Sequence, residues 1–203
     1  GVAWRSEDWA RAPACHFDAA RLWSLRERVR ALIERGDVSG IVITHGTDLL
    51  EETAYLLART LPGDVPVVVT GAMLTSDRPG WDGAANLSDA MSVAAAEGSR
   101  GRGCMVAFAG KVLDGSDAVK MHATAPDAFG APHAAPGGHV RDGRVEYMAP
   151  LPAPRARLSP ASLGRRVALV PMVVGDDGAV LDAVRAGHDG VVVAAFGSGN
   201  VPP

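Results

Sequence analysis

Residues 40–70 read GIVITHGTDLLEETAYLLARTLPGDVPVVVT, and this stretch decides the fold. It begins and ends with short β-branched runs, residues 40–44 and 66–70, which predict two buried strands. Between them, residues 51–61 have a helical pattern, and Pro62-Gly63 predicts the helix end. A strand, a helix and a second strand in this order indicate a parallel sheet with helices on both faces.

The same alternation continues on either side of this stretch. Upstream, Asp18 is a helix-capping residue, the apolar residues after it have helical spacing, and Gly36 predicts the helix end. Downstream, Asn86 predicts the cap of a helix that runs to Ala96, and residues 104–109 form another strand-like run. We therefore expect an α/β fold with a parallel, doubly wound sheet of the flavodoxin-like type.

Beyond residue 109 the alternation is less regular. We expect residues 110–124 to form a loop that leaves the last strand of the parallel set. Residues 139–147 predict a small hairpin, because Asp142-Gly143 is a strong turn signal between two short runs.

A proline-rich segment divides the chain. Residues 151–160 contain Pro152, Pro154 and Pro160, a composition typical of an extended linker. The linker separates a first α/β domain over residues 1–150 from the start of a second, smaller α/β domain over residues 161–203. The second domain is expected to contain a strand, a helix and a strand at residues 167–174, 179–186 and 190–196.

Composition excludes several classes of protein. Apolar residues make up 47% of the chain and charged residues 21%, as in ordinary globular domains. The net charge of −3 argues against a nucleic-acid partner, and the absence of an apolar run of about 18 residues argues against a membrane span. Cys15 and Cys104 are too few for a disulfide framework and favour a reducing compartment, so we expect a cytoplasmic location.

No metal and no cofactor are expected. The six histidines lack the spacing of metal ligands. The sequence also lacks the two glycine-rich patterns that cradle the phosphates of nucleotides, GxGxxG and GxxxxGK[ST].

Topology predicts where a site would lie. Open parallel sheets bind ligands at the carboxyl ends of their strands, in the loops that lead into helices. On the expected fold, these loops bring Ser6, Glu7, Thr47, Asp48 and Lys120 to the same edge of the sheet.

Three of these residues could carry chemistry. Thr47 offers a hydroxyl, Asp48 a carboxylate near a helix N-terminus, and Lys120 an amine that could accept the hydroxyl proton. The alternative is that Thr47 and Asp48 are an ordinary capping pair and that Lys120 is a solvated surface charge. Lysine is rare here, since Lys111 and Lys120 are the two lysines among 20 basic residues, and for Lys111 we expect the solvated role.

Five segments, in order along the chain, resemble the signatures of one family. They are ITHGTDLLEETA at residues 43–54, PVVVTGAM at 66–73, DGAANL at 82–87, VLDGSDAVK at 112–120 and GSGN at 197–200. On these motifs the sequence is identified as a member of the bacterial-type L-asparaginase/glutaminase family.

The resemblance implies a reaction and a catalytic group. The family hydrolyses L-asparagine to L-aspartate and ammonia through a covalent acyl-threonine, without a cofactor. By position, Thr47, Lys120 and Asp48 match the group that works on the side-chain amide of the substrate.

The resemblance also implies how the substrate is bound. Ser6 and Glu7 match the pair that holds the α-amino and α-carboxyl groups, Asp48 also contacts the α-amino group, and Ala72 lies where the family's GAM segment lines the pocket. L-Glutamine is a second possible substrate. The family assembles as a dimer of dimers, so a homotetramer is implied.

The sequence departs from the family pattern in several places. The family's first signature, a GGTI-type strand with the nucleophilic threonine, does not precede Ser6, and Leu49, His122 and Ala123 replace the usual residues. We expect either a fragment that lacks both ends of a longer enzyme, or a truncated, non-catalytic amino-acid-binding relative. A further alternative is the amidase subunit of a tRNA-dependent amidotransferase.

Overall fold

The computed structural model describes residues 3–148, 150 and 157–203. The chain forms two compact units, residues 1–161 and 162–203. Residues 151–156 of the predicted linker lie outside the described residues.

The helices and strands of the first unit include most of those predicted from sequence. In chain order they are α1 (Ala19–Arg35), β1 (Ile41–Thr44), α2 (Leu50–Thr60), β2 (Val67–Thr70), α3 (Gly83–Ala95), β3 (Cys104–Phe108), β4 (Lys111–Asp114), β5 (Val119–Lys120), β6 (Phe129–Gly130), β7 (Gly138–Arg141) and β8 (Arg144–Tyr147).

The central sheet has the strand order β1-β2-β3-β4-β7-β8. Its first three strands are parallel, with Val68 of β2 opposite Val42 of β1 and Met105 of β3. All four residues of β2 are buried, as expected for a strand covered on both faces. The structure confirms the predicted α/β fold and its parallel sheet.

The other half of the sheet is antiparallel, which corrects the prediction for residues 110–124. Ala109 and Gly110 both have positive φ angles, 49° and 73°, and form a tight turn that returns the chain beside β3 as β4. Two successive positive φ angles suit the twist of a hairpin, so the chain turns back instead of leaving the sheet. The predicted hairpin at residues 139–147 is confirmed as β7 and β8.

The ends of the helices show which capping signals were correct. Asp18 accepts a hydrogen bond from the Arg21 N–H at 2.8 Å and caps α1, and Gly36 ends that helix with φ at 72°. The predicted start of α3 is wrong, because the helix begins at Gly83. Asn86 lies inside α3, where its buried side chain binds the backbone of neighbouring loops.

Two apolar clusters cover the two faces of the sheet. Val67 and Val69 of β2 pack with α1 and α2, whereas Val68 packs with α3. Because successive side chains of a strand point to opposite faces, one β-branched run supplies both clusters. This layering holds the carboxyl ends of β1 and β2 rigidly beside each other.

The second unit contains β9 (Val167–Pro171), α4 (Ala179–Arg185) and β10 (Gly190–Ala194). The two strands are parallel, with Leu169 opposite Val192. These two side chains are 69% and 54% exposed, whereas Val170 is buried. Among the described residues, no helix combines the length and apolar character that a membrane span requires.

Candidate active site

The candidate site lies at the carboxyl end of β1, where the turn 45–48 leads into α2. Thr47 is half-buried in this turn, and Asp48 is exposed beside it. Topology therefore places both residues at the sheet edge where open parallel sheets bind ligands.

Lys120 meets this turn from a distant part of the chain. Its Nζ lies 2.9 Å from the Thr47 Oγ1, although 73 positions separate the two residues. The same nitrogen lies 3.5 Å from Asp48 Oδ1. The Lys120 side chain is 19% exposed and that of Asp48 is 61% exposed, so the amine is largely covered while the carboxylate faces solvent.

A two-stranded antiparallel ribbon, β5 with β6, carries Lys120. Phe129 of β6 is buried, and its ring packs 4.8 Å from that of Phe108. Lys111 donates from Nζ to the Phe129 carbonyl at 3.2 Å, and its side chain is 28% exposed. The expectation that Lys111 is a solvated surface charge is therefore wrong, because its ammonium anchors the ribbon.

Two glutamates lie in the first turn of α2, and the first of them contacts the ribbon. Glu51 accepts a hydrogen bond from the backbone N–H of Lys120. Its carboxylate lies in the first turn of α2, where the helix dipole favours negative charge. Glu51 lies within the family-like motif at residues 43–54, and no role was predicted for it from the sequence.

His45 fixes the shape of the turn that holds Thr47. Its Nδ1 lies 2.7 Å from the Gly46 carbonyl oxygen, and its Nε2 lies 3.0 Å from Thr53 Oγ1. A carbonyl oxygen can only accept, so Nδ1 carries the proton and Nε2 accepts from the Thr53 hydroxyl. Burial lowers the pKa of His45 and keeps the ring neutral.

The loop after β2 packs directly against this turn. A Cβ added to Gly71 would lie 2.4 Å from the His45 carbonyl oxygen and 3.5 Å from Thr47 Cγ2. Only a residue without a side chain permits this approach. Ala72, the predicted pocket residue, is the next residue along and is half-buried.

Asp82 and Asn86 hold the loop that contains Ala72. The Asp82 carboxylate accepts from the Met73 N–H at 2.9 Å and the Leu74 N–H at 3.0 Å. Asn86 donates to the Gly71 carbonyl at 2.9 Å. Neither role was predicted from the sequence. The signal for both is the spacing of Asp82 and Asn86, which places the two residues one helical turn apart on the same face.

Ser6 and Glu7 lie away from this group. Ser6 is exposed, and Glu7 pairs with Arg28 of α1, whose guanidinium lowers the pKa of the Glu7 carboxyl. Within the part of the chain that the structure describes, no hydrogen bond or ion pair joins Ser6 or Glu7 to Thr47 or Lys120. Their predicted role in substrate binding stays a prediction.

An open depression of about 390 Å³ adjoins the amine. It is lined by Asp48, Lys120, Met121, His122 and Ala123. His122 accepts hydrogen bonds at Nδ1 from the N–H groups of the two residues after Ala123, at 3.1 and 2.9 Å. The histidine that departs from the family pattern therefore closes the bend that forms one wall of this depression.

The arrangement suits proton transfer beside a bound substrate. A hydroxyl and an amine lie within hydrogen-bond distance, which is the geometry of an activated hydroxyl or water. The exposed Asp48 carboxylate can pair with a cationic group of a small molecule. No group of metal-ligating side chains occurs among the described residues.

Comparisons with known proteins identify the family of the chain. The family model described as Asparaginase, N-terminal, matches residues 2–153. The probable L-asparaginase of Deinococcus radiodurans is 38% identical over 195 residues, which cover 94% of this chain and 59% of that protein. L-asparaginase 2 of Escherichia coli is 35% identical over 168 residues, which cover 80% of this chain and 48% of that protein.

A solved structure has the same fold. The probable cytoplasmic L-asparaginase of Campylobacter jejuni superposes with a TM-score of 0.86 at 30% identity, covering 95% of this chain and 63% of that one. The chain thus spans about half the length of the curated relatives it matches. With a family model that matches three quarters of its residues and a shared fold, the chain belongs to the asparaginase family.

Proposed function

We propose that this chain carries the amide-hydrolysing site of an L-asparaginase, in which Thr47, Lys120 and Asp48 form a proton-transfer group. The observation that supports it is the 2.9 Å contact between Lys120 Nζ and Thr47 Oγ1. Two groups so distant in sequence are held together here in a half-buried setting beside an open depression. A capping threonine would not need a lysine at its hydroxyl.

The group acts on the side-chain amide in two half-reactions. The hydroxyl oxygen of a nucleophilic threonine attacks the amide carbonyl carbon, the C–N bond breaks, and the hydroxyl proton is transferred to the departing nitrogen, which leaves as ammonia. Water then attacks the acyl-threonine and passes a proton, through the Thr47 hydroxyl, to Lys120 Nζ. The acyl C–O bond breaks and Lys120 returns the proton to the departing threonine oxygen, which releases L-aspartate and regenerates both the threonine hydroxyl and the amine. In the family that nucleophile belongs to the first signature, which residues 1–203 do not include.

Charge complementarity supports an amino-acid substrate. The exposed Asp48 carboxylate would pair with the α-ammonium group of L-asparagine. L-Glutamine is the second substrate, because one extra methylene changes discrimination by only about 1–3 kcal/mol. Relatives from Pseudomonas aeruginosa and Pseudomonas fluorescens carry the name glutaminase-asparaginase.

Location and assembly complete the proposal. We place the protein in the cytoplasm, as a homotetramer. A solved relative is described as a cytoplasmic L-asparaginase, while a relative from Haemophilus influenzae is described as periplasmic. Gel filtration with light scattering measures the assembly, and cell fractionation measures the location.

Ammonia release from L-asparagine tests the function, measured on a protein in which the family's first signature, with its nucleophilic threonine, is joined to residues 1–203. Thr47→Ala removes the hydroxyl and is expected to lower kcat by about 10²–10⁴-fold, whereas Thr47→Ser keeps the hydroxyl and most of the activity. Lys120→Arg retains the charge but cannot accept a proton, so it is expected to be as inactive as Thr47→Ala.

Two results would overturn the proposal. One is turnover by Lys120→Arg at the rate of the unchanged protein. The other is tight binding of L-aspartate, measured by calorimetry, with no ammonia released at high concentration of the protein that carries the first signature. The second result would identify an amino-acid-binding protein instead.

A further inference from the structure

The backbone N–H of Lys120 has a carboxylate from a distant part of the chain as its hydrogen-bond partner. The Lys120 N–H donates to Glu51, a residue 69 positions earlier in the chain. Glu51 is half-buried in the first turn of α2, directly after the turn that carries Thr47 and Asp48. One side chain therefore joins the strand of the amine to the helix that follows the hydroxyl.

The geometry of the β5–β6 ribbon explains why the Lys120 N–H is available. Met121 donates its N–H across the ribbon to the Ala128 carbonyl at 2.7 Å. Successive N–H groups of a strand point to opposite edges, so the N–H of Lys120 points away from β6. The Glu51 carboxylate meets it on that outer edge.

We propose that Glu51 is a positioning residue, which sets the register of Lys120 against Thr47 by accepting the Lys120 N–H. This inference rests on the proposed function of the Thr47–Lys120 pair. The carboxylate is a charge-assisted acceptor, stronger than a neutral one, and the helix N-terminus holds it in place. In the part of the chain that the structure describes, no other hydrogen bond joins β5 to α2.

Other contacts hold the rest of the ribbon. The effect of Glu51 on the position of Lys120 can therefore be distinguished from an effect on the stability of the ribbon. Phe129 of β6 is buried against Phe108, and Lys111 donates to the Phe129 carbonyl at 3.2 Å. Loss of Glu51 should therefore leave the ribbon folded and displace only the edge that carries Lys120. A displacement of about 1 Å can lower a rate by about 10²-fold.

Substitutions at Glu51 test the inference through activity. Glu51→Ala is expected to lower kcat by about 10²-fold with little change in KM, because the substrate carboxylate and ammonium contacts are untouched. Glu51→Gln keeps an oxygen that can accept the N–H and should restore most of the rate. Glu52→Ala, in the same helical turn but exposed, is the matched control and should behave like the unchanged protein.

Lysine-selective ¹⁵N labelling gives a readout that does not need activity. The chain has two lysines, so the spectrum of backbone amides contains signals from Lys111 and Lys120. A hydrogen bond to a carboxylate moves an amide proton downfield. In Glu51→Ala the Lys120 signal should move upfield while the Lys111 signal stays, and Lys120→Arg assigns the two signals by deleting one.

The outcomes separate this inference from the proposed function. Glu51→Ala with an unchanged rate and an unchanged Lys120 signal would overturn the positioning role, even if Thr47→Ala is inactive. Glu51→Gln as inactive as Glu51→Ala would also overturn it, since charge and not the hydrogen bond would then matter. A protein whose rate is unaffected by Thr47→Ala would contradict the proposed function instead, and the amide signal would still report the Glu51 contact.

Discussion

At the scale of single residues, the turn before α2 depends on a neutral histidine. His45 donates from Nδ1 to the Gly46 carbonyl and accepts at Nε2 from Thr53, and its ring packs edge-on against Phe17 at 5.4 Å. Protonation would place a second N–H where the ring now accepts, inside a largely apolar setting. The shape of the Thr47 turn is therefore linked to pH.

The direction of that pH dependence follows from the lowered pKa of His45. Burial holds it below its ordinary value of 6.5, so the unfolded chain binds the proton more readily than the folded one. The stabilisation that the neutral His45 ring gives to the folded protein is complete above about pH 6.5. It is lost as the pH falls through the lower pKa that His45 has in the folded protein. Urea denaturation across pH 5–8 measures the free energy of unfolding of the protein and of His45→Gln. The difference between these two free energies should become smaller toward acid pH.

The exposed His133 provides the control for this measurement. His133→Gln should keep the pH dependence of the unchanged protein, because its side chain lies at the surface. A stability difference between the protein and His45→Gln that stays constant across the same pH range would contradict the prediction.

At the scale of elements, close backbone approaches hold the parallel strands against the helices. Gly40 precedes β1 and lies against the C-terminal end of α3. A Cβ added there would lie 2.2 Å from the Ala94 carbonyl oxygen, a backbone atom that cannot move without shifting the helix. The site turn at the other end of β1 depends on this packing.

Gly40→Ala should therefore destabilise the protein by about 1–3 kcal/mol, the usual cost of overpacking. Gly63→Ala is the matched control, since its new Cβ would have its nearest neighbour at 3.5 Å, an ordinary contact. The midpoint of urea denaturation compares the stability of the two variants when the slope of the free energy of unfolding against urea concentration is unchanged. Equal midpoints for the two variants would contradict the prediction, because they would show that β1 and α3 can move apart with no loss of stability.

At the scale of the whole molecule, the two units differ in how completely they cover their sheets. β2 is buried along its length between two apolar clusters, whereas Leu169 and Val192 of the second unit are largely exposed. Backbone hydrogen bonds with little apolar cover open at lower free energy.

Hydrogen exchange should show this difference directly. Backbone amides of β2 are expected to exchange by global unfolding, and those of β9 and β10 by local opening that is faster by orders of magnitude. Mass spectrometry of peptides over residues 67–70 and 190–194 measures both rates in one sample. Equal protection of the two peptides would contradict the prediction.

The sequence by itself determined the features that depend on neighbours along the chain. The β-branched runs of residues 41–44 and 67–70 specify strands, of which the second is buried as predicted, whereas the first is only half-buried and its last residue, Thr44, is exposed. Asp18 and Gly36 bound α1 through a hydrogen bond and a φ angle within a few residues. Asn86 shows the limit of such signals, because its side chain has partners 15 and 23 positions away, which outweigh a cap.

Only the tertiary structure decided which distant groups meet. A turn of two residues with positive φ directs the chain back beside β3, and the ribbon that follows brings Lys120 to Thr47 and to Glu51. Resemblance to a family paired Lys120 with Thr47, but neither periodicity nor spacing encodes a contact across 73 positions. Such contacts arise from sheet order and packing, and these are properties of the whole fold.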